Sequence, residues 1–250
     1  TDIYTLSLHD ALPISDLDRY AFPDYGHQEV LIDRDQLLND MSRGRRELLF
    51  PLNMMVFSSR GCPFHCTYCI HSLLKAEGYL HHVRRRSVGN VMDECEGLFR
   101  NYGLKHFIFH DEVFAMRRDW VAEFSREFRR RLRPQGCTFC GYVHPLTTTA
   151  EMVEMLWEAG LTWTGMGIQS GSERVCREVF ERPFQREKSV EMAAVLARFP
   201  FEIVQYDVIV DNPFETTEDR QATFEFLLEL SPPFTVECFG LKVFPHSKLA

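Results

Sequence analysis

The chain has no unbroken apolar run approaching the roughly 18 residues that would span a bilayer, which argues against a membrane-crossing helix. It also has no low-complexity tract and no repeat of fixed short period, so collagen-like, solenoid and disordered classes are excluded. Positive charge is in deficit. The 28 Lys and Arg stand against 36 Asp and Glu, a formal charge of −8, which argues against a general polyanion-binding surface and against nucleic acid as partner. Eight cysteines in 250 residues are too sparse for a disulfide framework. What is there is ordinary for a globular α/β protein: 45% hydrophobic residues and 26% charged ones. The cysteines are unevenly placed, and their placement is the informative feature.

Residues 1–15, TDIYTLSLHDALPIS, resemble the translated adapter of a short-read sequencing library. They are set aside as a scar rather than read as a short amphipathic helix. They lack the basic and apolar regions of a secretory signal. Residues 16–50 are polar and Asp-rich, with a turn at Phe22-Pro23-Asp24, and read as a linker or the tail of a preceding domain. Residues 51–250 read as a core domain that stops just past a strand-like run, so the whole is expected to be a fragment cut at both ends.

Within 51–250, short apolar runs alternate with segments of helical period. Strands are expected at 52–58, 106–110, 138–143, 162–168, 201–210 and 234–241, and helices at 88–102, 118–132, 150–159, 186–197 and 218–230. Gly103 and Gly160 read as helix C-caps, and Thr216-x-x-Asp219 as a capping box. Strands separated by helices of this length imply right-handed crossovers and a parallel sheet. Six such units predict an α/β fold curved into a partial (β/α)6, TIM-like barrel.

Directly after the first expected strand comes Gly61-Cys62-Pro63-Phe64-His65-Cys66-Thr67-Tyr68-Cys69. Three thiolates at this spacing can wrap one inorganic centre, and soft sulfur ligands suit an iron–sulfur cluster or zinc. A cubane held by three Cys keeps one iron open for chemistry, by the logic that separates catalytic from structural zinc. The zinc alternative would be completed by His65, His71 or His81. The loop lies at the C-terminal mouth of a parallel strand, where barrels place active sites.

These residues, with Tyr68 before the last Cys, match the signature of radical S-adenosylmethionine (radical SAM) enzymes, and the resemblance implies that Tyr68 borders SAM. The phrase SSRGCPFHCTYC resembles the branch whose members often carry an N-terminal cobalamin-binding domain. The resemblance runs from about residue 16 to 250. It implies that Cys62, Cys66 and Cys69 hold a [4Fe-4S] cluster whose fourth iron is chelated by the amine and carboxylate of SAM. One-electron cleavage of SAM would then give a 5′-deoxyadenosyl radical that abstracts hydrogen from an unknown substrate. The resemblance implies a flavodoxin- or ferredoxin-type electron donor. Cobalamin, if a preceding domain binds it, would favour methyl transfer or rearrangement. The alternatives are sulfur insertion into RNA or protein (methylthiotransferase chemistry) and a non-enzymatic zinc or electron-transfer module. Reduced thiolates and the lack of a signal point to the cytoplasm.

The family places an acidic group after the second strand to accept from the SAM ammonium. Asp111 and Glu112 are both candidates, and alternation sends them to opposite faces, so one acts. Relatives show Glu where Gln169 stands; Gln169 or Ser170 would bond the ribose or methionyl carboxylate, with Ser172 as a helix N-cap. Asp207 either holds ribose hydroxyls or is a buried structural carboxylate. The turn Asp211-Asn212-Pro213-Phe214-Glu215-Thr216 replaces the family's Gly-containing turn and leaves the adenine contact unassigned. Phe239, Phe244 and Pro245 either flank adenine or belong to the core. Cys137-x2-Cys140 sits on an expected strand, where the two face opposite ways. Arg84–Arg86 would steady an anionic substrate, and Arg126–Arg133 reads as the wet face of a barrel helix. No catalytic side chain beyond these is assigned.

Overall fold

The computed structural model describes residues 16–23, 31–33, 36–38, 53–78 and 82–249. The adapter-like residues 1–15 and most of 24–52 lie outside the described residues, as does His81. Within the stretch read as linker, residues 16–23 contact the core: Leu17 is buried, and the Asp18 carboxylate accepts the Ser87 backbone N–H at 2.9 Å.

Six parallel strands form the sheet: β1 (Asn53–Val56), β2 (His106–Phe109), β3 (Thr138–Tyr142), β4 (Leu161–Gln169), β5 (Ile203–Val210) and β6 (Thr235–Gly240). Their spatial order follows the chain, each strand pairing in parallel with the next. Such pairing needs a crossover each time, and the helices supply it. Helices α1 (Ile70–Ala76), α2 (Val88–Tyr102), α3 (Arg118–Arg131), α4 (Ala150–Ala159), α5 (Arg186–Leu196) and α6 (Thr217–Glu229) follow the strands. Strands β1 and β6 are the edges of the sheet, so the expected partial α/β barrel is present and open. No helix among the described residues is long and apolar enough to cross a membrane.

Local chemistry explains where elements stop. Ser87 and Thr149 cap α2 and α4 by accepting backbone N–H groups of Asn90 and Met152. Gly103 and Gly160 end those helices in the left-handed conformation, φ +70° and +117°, which costs glycine least. Thr216 and Asp219 form the reciprocal capping box at the start of α6.

Alternation along each strand sorts the two faces of the sheet. In β5, Val204, Tyr206 and Val208 are buried towards the helices, whereas Gln205 and Asp207 are half-buried on the concave face. On the helical side, Phe107, Phe109 and Phe139 meet Phe114, Trp120, Phe124 and Phe128, with ring centroids 4.7–6.3 Å apart. Each such ring contributes roughly 1.5–3 kcal/mol on burial. This apolar layer fixes the strand ends against which the loops are built.

The arginine run on α3 is satisfied by acidic neighbours, as its reading as a wet face requires. Arg129 pairs with Glu158, Arg130 with Glu127, and Arg131 with Asp93 and Glu96 of α2. Within Arg84–Arg86, Arg85 and Arg86 are directed into the fold. Arg85 stacks on Trp120 and donates to Ser58 Oγ and Val113 O, both at 3.1 Å; Arg86 donates to Phe57 O and pairs with Glu94. Both guanidiniums are occupied in bracing the loop after β1. Phe239 and Phe244 are exposed rather than core.

The Arg131 hydrogen bond holds the Glu96 carboxyl down at about 2 against the opposing effect of burial, with Arg100 adding to it. A carboxyl lowered in the fold stabilises it above the unfolded value, and the contribution vanishes as pH falls through the folded one. Stability should therefore drop between about pH 4.5 and pH 2. Glu96→Gln should lose roughly 1–2 kcal/mol at neutral pH and flatten that acid limb in urea titrations; an unchanged limb would contradict this role.

Candidate active site

The loop leaving β1 carries Cys62, Cys66 and Cys69, all free thiols. It is tied internally by the Cys69 N–H donating to Cys66 O at 3.0 Å and by Ser72 Oγ donating to the same carbonyl at 2.7 Å. Cys69 caps α1, a helix that the sequence pattern did not announce. Burial pushes the Cys62 and Cys69 thiols up, and negative charge on the neighbouring cysteines of the loop adds to it. Three soft sulfur donors held on one loop suit a metal centre. Among the described residues no three His, Cys, Asp or Glu converge closely enough for a single metal ion. A four-iron cluster is a wider object than one ion, and the thiol set suits it better than zinc.

The acidic pair after β2 divides, Asp111 inward and Glu112 in the turn that follows. Asp111 turns inward and is fully enclosed, accepting from Ser58 N–H at 3.2 Å, Ser58 Oγ at 3.0 Å and Ser59 Oγ. Burial raises its pKa against those hydrogen bonds and the charge of Arg85. Its carboxylate anchors the two residues that launch the cysteine loop, with three accepted hydrogen bonds directed into the fold. Glu112 faces the cysteine loop instead. One oxygen accepts from His71 Nε2 at 2.7 Å, and the other is buried without a partner. Burial opposes the charge on Glu112, but the His71 hydrogen bond, its own backbone N–H and the charges of His71 and Arg60 together lower the pKa.

The end of β4 is irregular. The pairing with β5 shifts register between Gly167 and Gln169, and Gln169 adopts φ +69°, which side-chain-bearing residues rarely do. This bulge folds the Gln169 amide back over Gly167, where a Cβ would lie 2.4 Å from Gln169 Nε2 and 3.5 Å from Arg182 Nη2. Ser170 goes the other way. Its Oγ lies 3.1 Å from Thr223 Oγ1 on α6 and accepts the Ser172 N–H at 3.2 Å. Ser170 is fully buried and joins β4 to α6. Ser172 caps the next helical turn, accepting the Val175 N–H at 3.3 Å.

That turn is a π-helix, Val175–Val179, and beyond it lies Arg182. Arg182 Nη1 is 3.5 Å from Tyr68 Oη and 3.9 Å from Cys66 Sγ; Nη2 donates to Gly167 O at 2.7 Å. Tyr68 packs edge-on against Phe180, centroids 4.8 Å apart, and burial raises its hydroxyl pKa. Arg182 Nη2 also lies 3.4 Å from Nε2 of His144, whose ring stacks on Phe64 at 4.3 Å. Burial, then the Arg182 charge, pushes His144 down to about 3. The neutral ring accepts the Leu146 N–H at Nδ1, so its proton resides on Nε2. Arg182 and His144 thus present two donors to one spot, an arrangement that suits an anionic acceptor.

Asp207 lies lower on the concave face, accepting from Gln205 Nε2 at 2.8 Å, and Gln205 Nε2 also reaches Tyr142 Oη at 2.9 Å. Burial raises its pKa. It is paired in register with Gly167 on one side and Glu237 on the other. The turn after β5 places Asp211 at φ +54°, with Asn212 Oδ1 accepting the Phe214 N–H at 3.0 Å. Asp tolerates this conformation, which explains how the turn dispenses with glycine. Cys137 is buried in the helical layer and Cys140, pushed up to about 12 by burial, is on β3, so they form no second metal site. The sequence reading missed Arg182 and His144, and named His71 only for the zinc alternative; the π turn that delivers Arg182 has no sequence period to betray it.

Comparison with known proteins supplies the family. The model of the radical SAM superfamily matches residues 56–227. The chain is 27% identical over 183 residues to cytidylyl-2-hydroxyethylphosphonate methyltransferase of Streptomyces wedmorensis, covering 70% of this chain and 32% of that protein. It is 24% identical over 178 residues to the ribosomal protein uS12 methylthiotransferase RimO of Thermotoga petrophila, covering 69% of this chain and 40% of that one. The chain therefore spans well under half of these curated relatives. In fold it is similar to the radical SAM methyltransferase TsrM from Kitasatospora setae, with TM-score 0.66, 18% identity, and 79% and 37% of the two chains covered. It is also similar to the cobalamin-dependent SAM radical enzyme OxsB, with TM-score 0.60, 15% identity, and 82% and 33% covered. With the family model matching most of its length, this chain belongs to the radical SAM superfamily, enzymes that use a [4Fe-4S] cluster and S-adenosylmethionine.

Proposed function

We propose that Cys62, Cys66 and Cys69 hold the [4Fe-4S] cluster and that SAM is bound above them, with methyl transfer as the overall reaction. The observation that carries the site reading is the pair of opposed polar sets flanking the cysteine loop. An unpartnered buried oxygen of Glu112 suits an ammonium, and the donors of His144 and Arg182 suit a carboxylate. Together they complement the zwitterionic end of an amino acid, which SAM carries. Gln169, aimed inward by the bulge, and Asp207 on the concave face are assigned to the ribose hydroxyls. Tyr68, its Oη 3.5 Å from Arg182 Nη1, is assigned to the border of the SAM site beside that guanidinium.

When bound, the cluster supplies the single electron that cleaves SAM to a radical able to abstract hydrogen. The protein's own task is to orient and to keep water out. Glu112, fixed by His71, directs the amine, and the ring of Phe64 holds His144 for the carboxylate. Methyl transfer is read from the methyltransferase relatives, and cobalamin from the neighbours whose names carry it. No described residue is assigned to cobalamin. A flavodoxin- or ferredoxin-type protein is the proposed electron donor, in the cytoplasm. Methylthiolation is the second reading, favoured by the RimO similarity; product mass distinguishes a transferred methyl from a methylthio group.

Anaerobic reconstitution should give about four irons and four sulfides per chain, and 5′-deoxyadenosine from SAM under dithionite. Cys66→Ala should abolish both. Bound zinc, or a cluster inert towards SAM, would overturn the assignment. Among variants that keep the cluster, Glu112→Gln should weaken SAM binding about tenfold, the loss of one charge-assisted hydrogen bond. Ser170→Ala should leave SAM affinity within about twofold while lowering stability by roughly 1–2 kcal/mol. Equal effects of the two on calorimetric SAM affinity would refute the division between them.

A further inference from the structure

Arg182 is more than a carboxylate ligand. The chain reaches it through the π turn, closed by the Phe180 N–H donating to Val175 O at 2.8 Å, after which the Arg182 N–H donates to Cys176 O at 2.8 Å. π turns are rare and cluster at functional sites. The carbonyls at the end of this one accept from the cysteine loop: Phe180 O from the Thr67 N–H at 2.9 Å, and Val179 O from Thr67 Oγ1 at 2.6 Å. One short stretch thus grips the loop between Cys66 and Cys69 and delivers a cation to it. No carboxylate among the described residues pairs with Arg182. Its Nη1 instead points at Tyr68 Oη and Cys66 Sγ. A buried cation without a counter-charge is costly, and the sulfur is the anionic group at hand.

We propose that Arg182, through its N–H directed at the Cys66 sulfur, sets the reduction potential of the cluster, making it easier to reduce than the three thiolates alone would allow. Reduction adds negative charge to a centre already ligated by three thiolates. A buried positive group at one sulfur stabilises that added charge more than the oxidised form. Net charge and hydrogen bonds to sulfur are among the established determinants of cluster potential. Lys75, the other cation acting on the loop, directs its Nζ to Phe64 O at 2.7 Å and serves as the comparison. The proposal rests on the cluster being held by Cys62, Cys66 and Cys69.

The test is a potentiometric titration of the anaerobically reconstituted protein, followed by the electron paramagnetic resonance of the reduced cluster, without SAM. Leaving SAM out separates the sulfur contact from carboxylate binding. Arg182→Met should shift the midpoint to a more negative potential with iron and sulfide content unchanged. Arg182→Lys, which keeps charge but not the guanidinium fork, should fall between it and the unaltered protein. Lys75→Met should shift it less than Arg182→Met. An unchanged midpoint in Arg182→Met, or an equal shift in Lys75→Met, would overturn the proposal. So would loss of the cluster in both Arg182 variants, which would make the residue a requirement for assembly. Persistence of the cluster in Cys66→Ala would instead overturn the ligand assignment, a separate failure.

Discussion

Everything at the mouth of this barrel depends on how the cysteine loop is held. A loop with three thiols and little apolar mass cannot pack itself into place, and its sulfurs repel one another as they ionise. Thr67 resolves this by giving its N–H and its hydroxyl to the carbonyls of Phe180 and Val179, at the end of the π turn. From the other side Asp111 fixes Ser58 and Ser59, so the loop is anchored where it leaves β1 and again between its last two cysteines. Both anchors come from segments distant in sequence. The site is therefore a property of the assembled barrel, not of the motif alone.

The polar groups around the loop owe their directions to backbone geometry more than to residue type. Asp111 and Glu112 are adjacent carboxylates with opposite fates: Asp111 hydrogen-bonds inward to Ser58 and Ser59, and Glu112, in the turn that follows β2, meets His71. Gln169 and Ser170 part at a bulge, where a left-handed φ turns the amide towards Gly167 and Arg182. A strained residue at the end of a strand costs roughly 1–3 kcal/mol, and the aromatic layer beneath the sheet is large enough to bear it.

The sequence announced most of this fold because its signals are local. Six apolar runs, five helical periods, the caps at Gly103 and Gly160 and the box at Thr216 each depend on neighbours a few residues apart, and all appear where expected. The cysteine spacing was legible for the same reason. The partners of Asp111 and Ser170 were not legible because Ser58 and Thr223 lie 53 residues away in each case. Arg182 escaped notice because a π turn has no period that a scan detects, and 116 residues separate it from Cys66. His144 looked like one of ten scattered histidines until Phe64 and Arg182 met it in space.

The central claim is that SAM's amino and carboxylate groups meet an open iron between Glu112 and the His144–Arg182 pair. Electron–nuclear double resonance on the reduced, reconstituted cluster tests it directly, using SAM isotopically labelled at the amino nitrogen and at the carboxylate oxygens. The account predicts hyperfine coupling of both labels to the cluster, with the oxygen coupling diminished in Arg182→Met. A cluster that couples to neither label would contradict it.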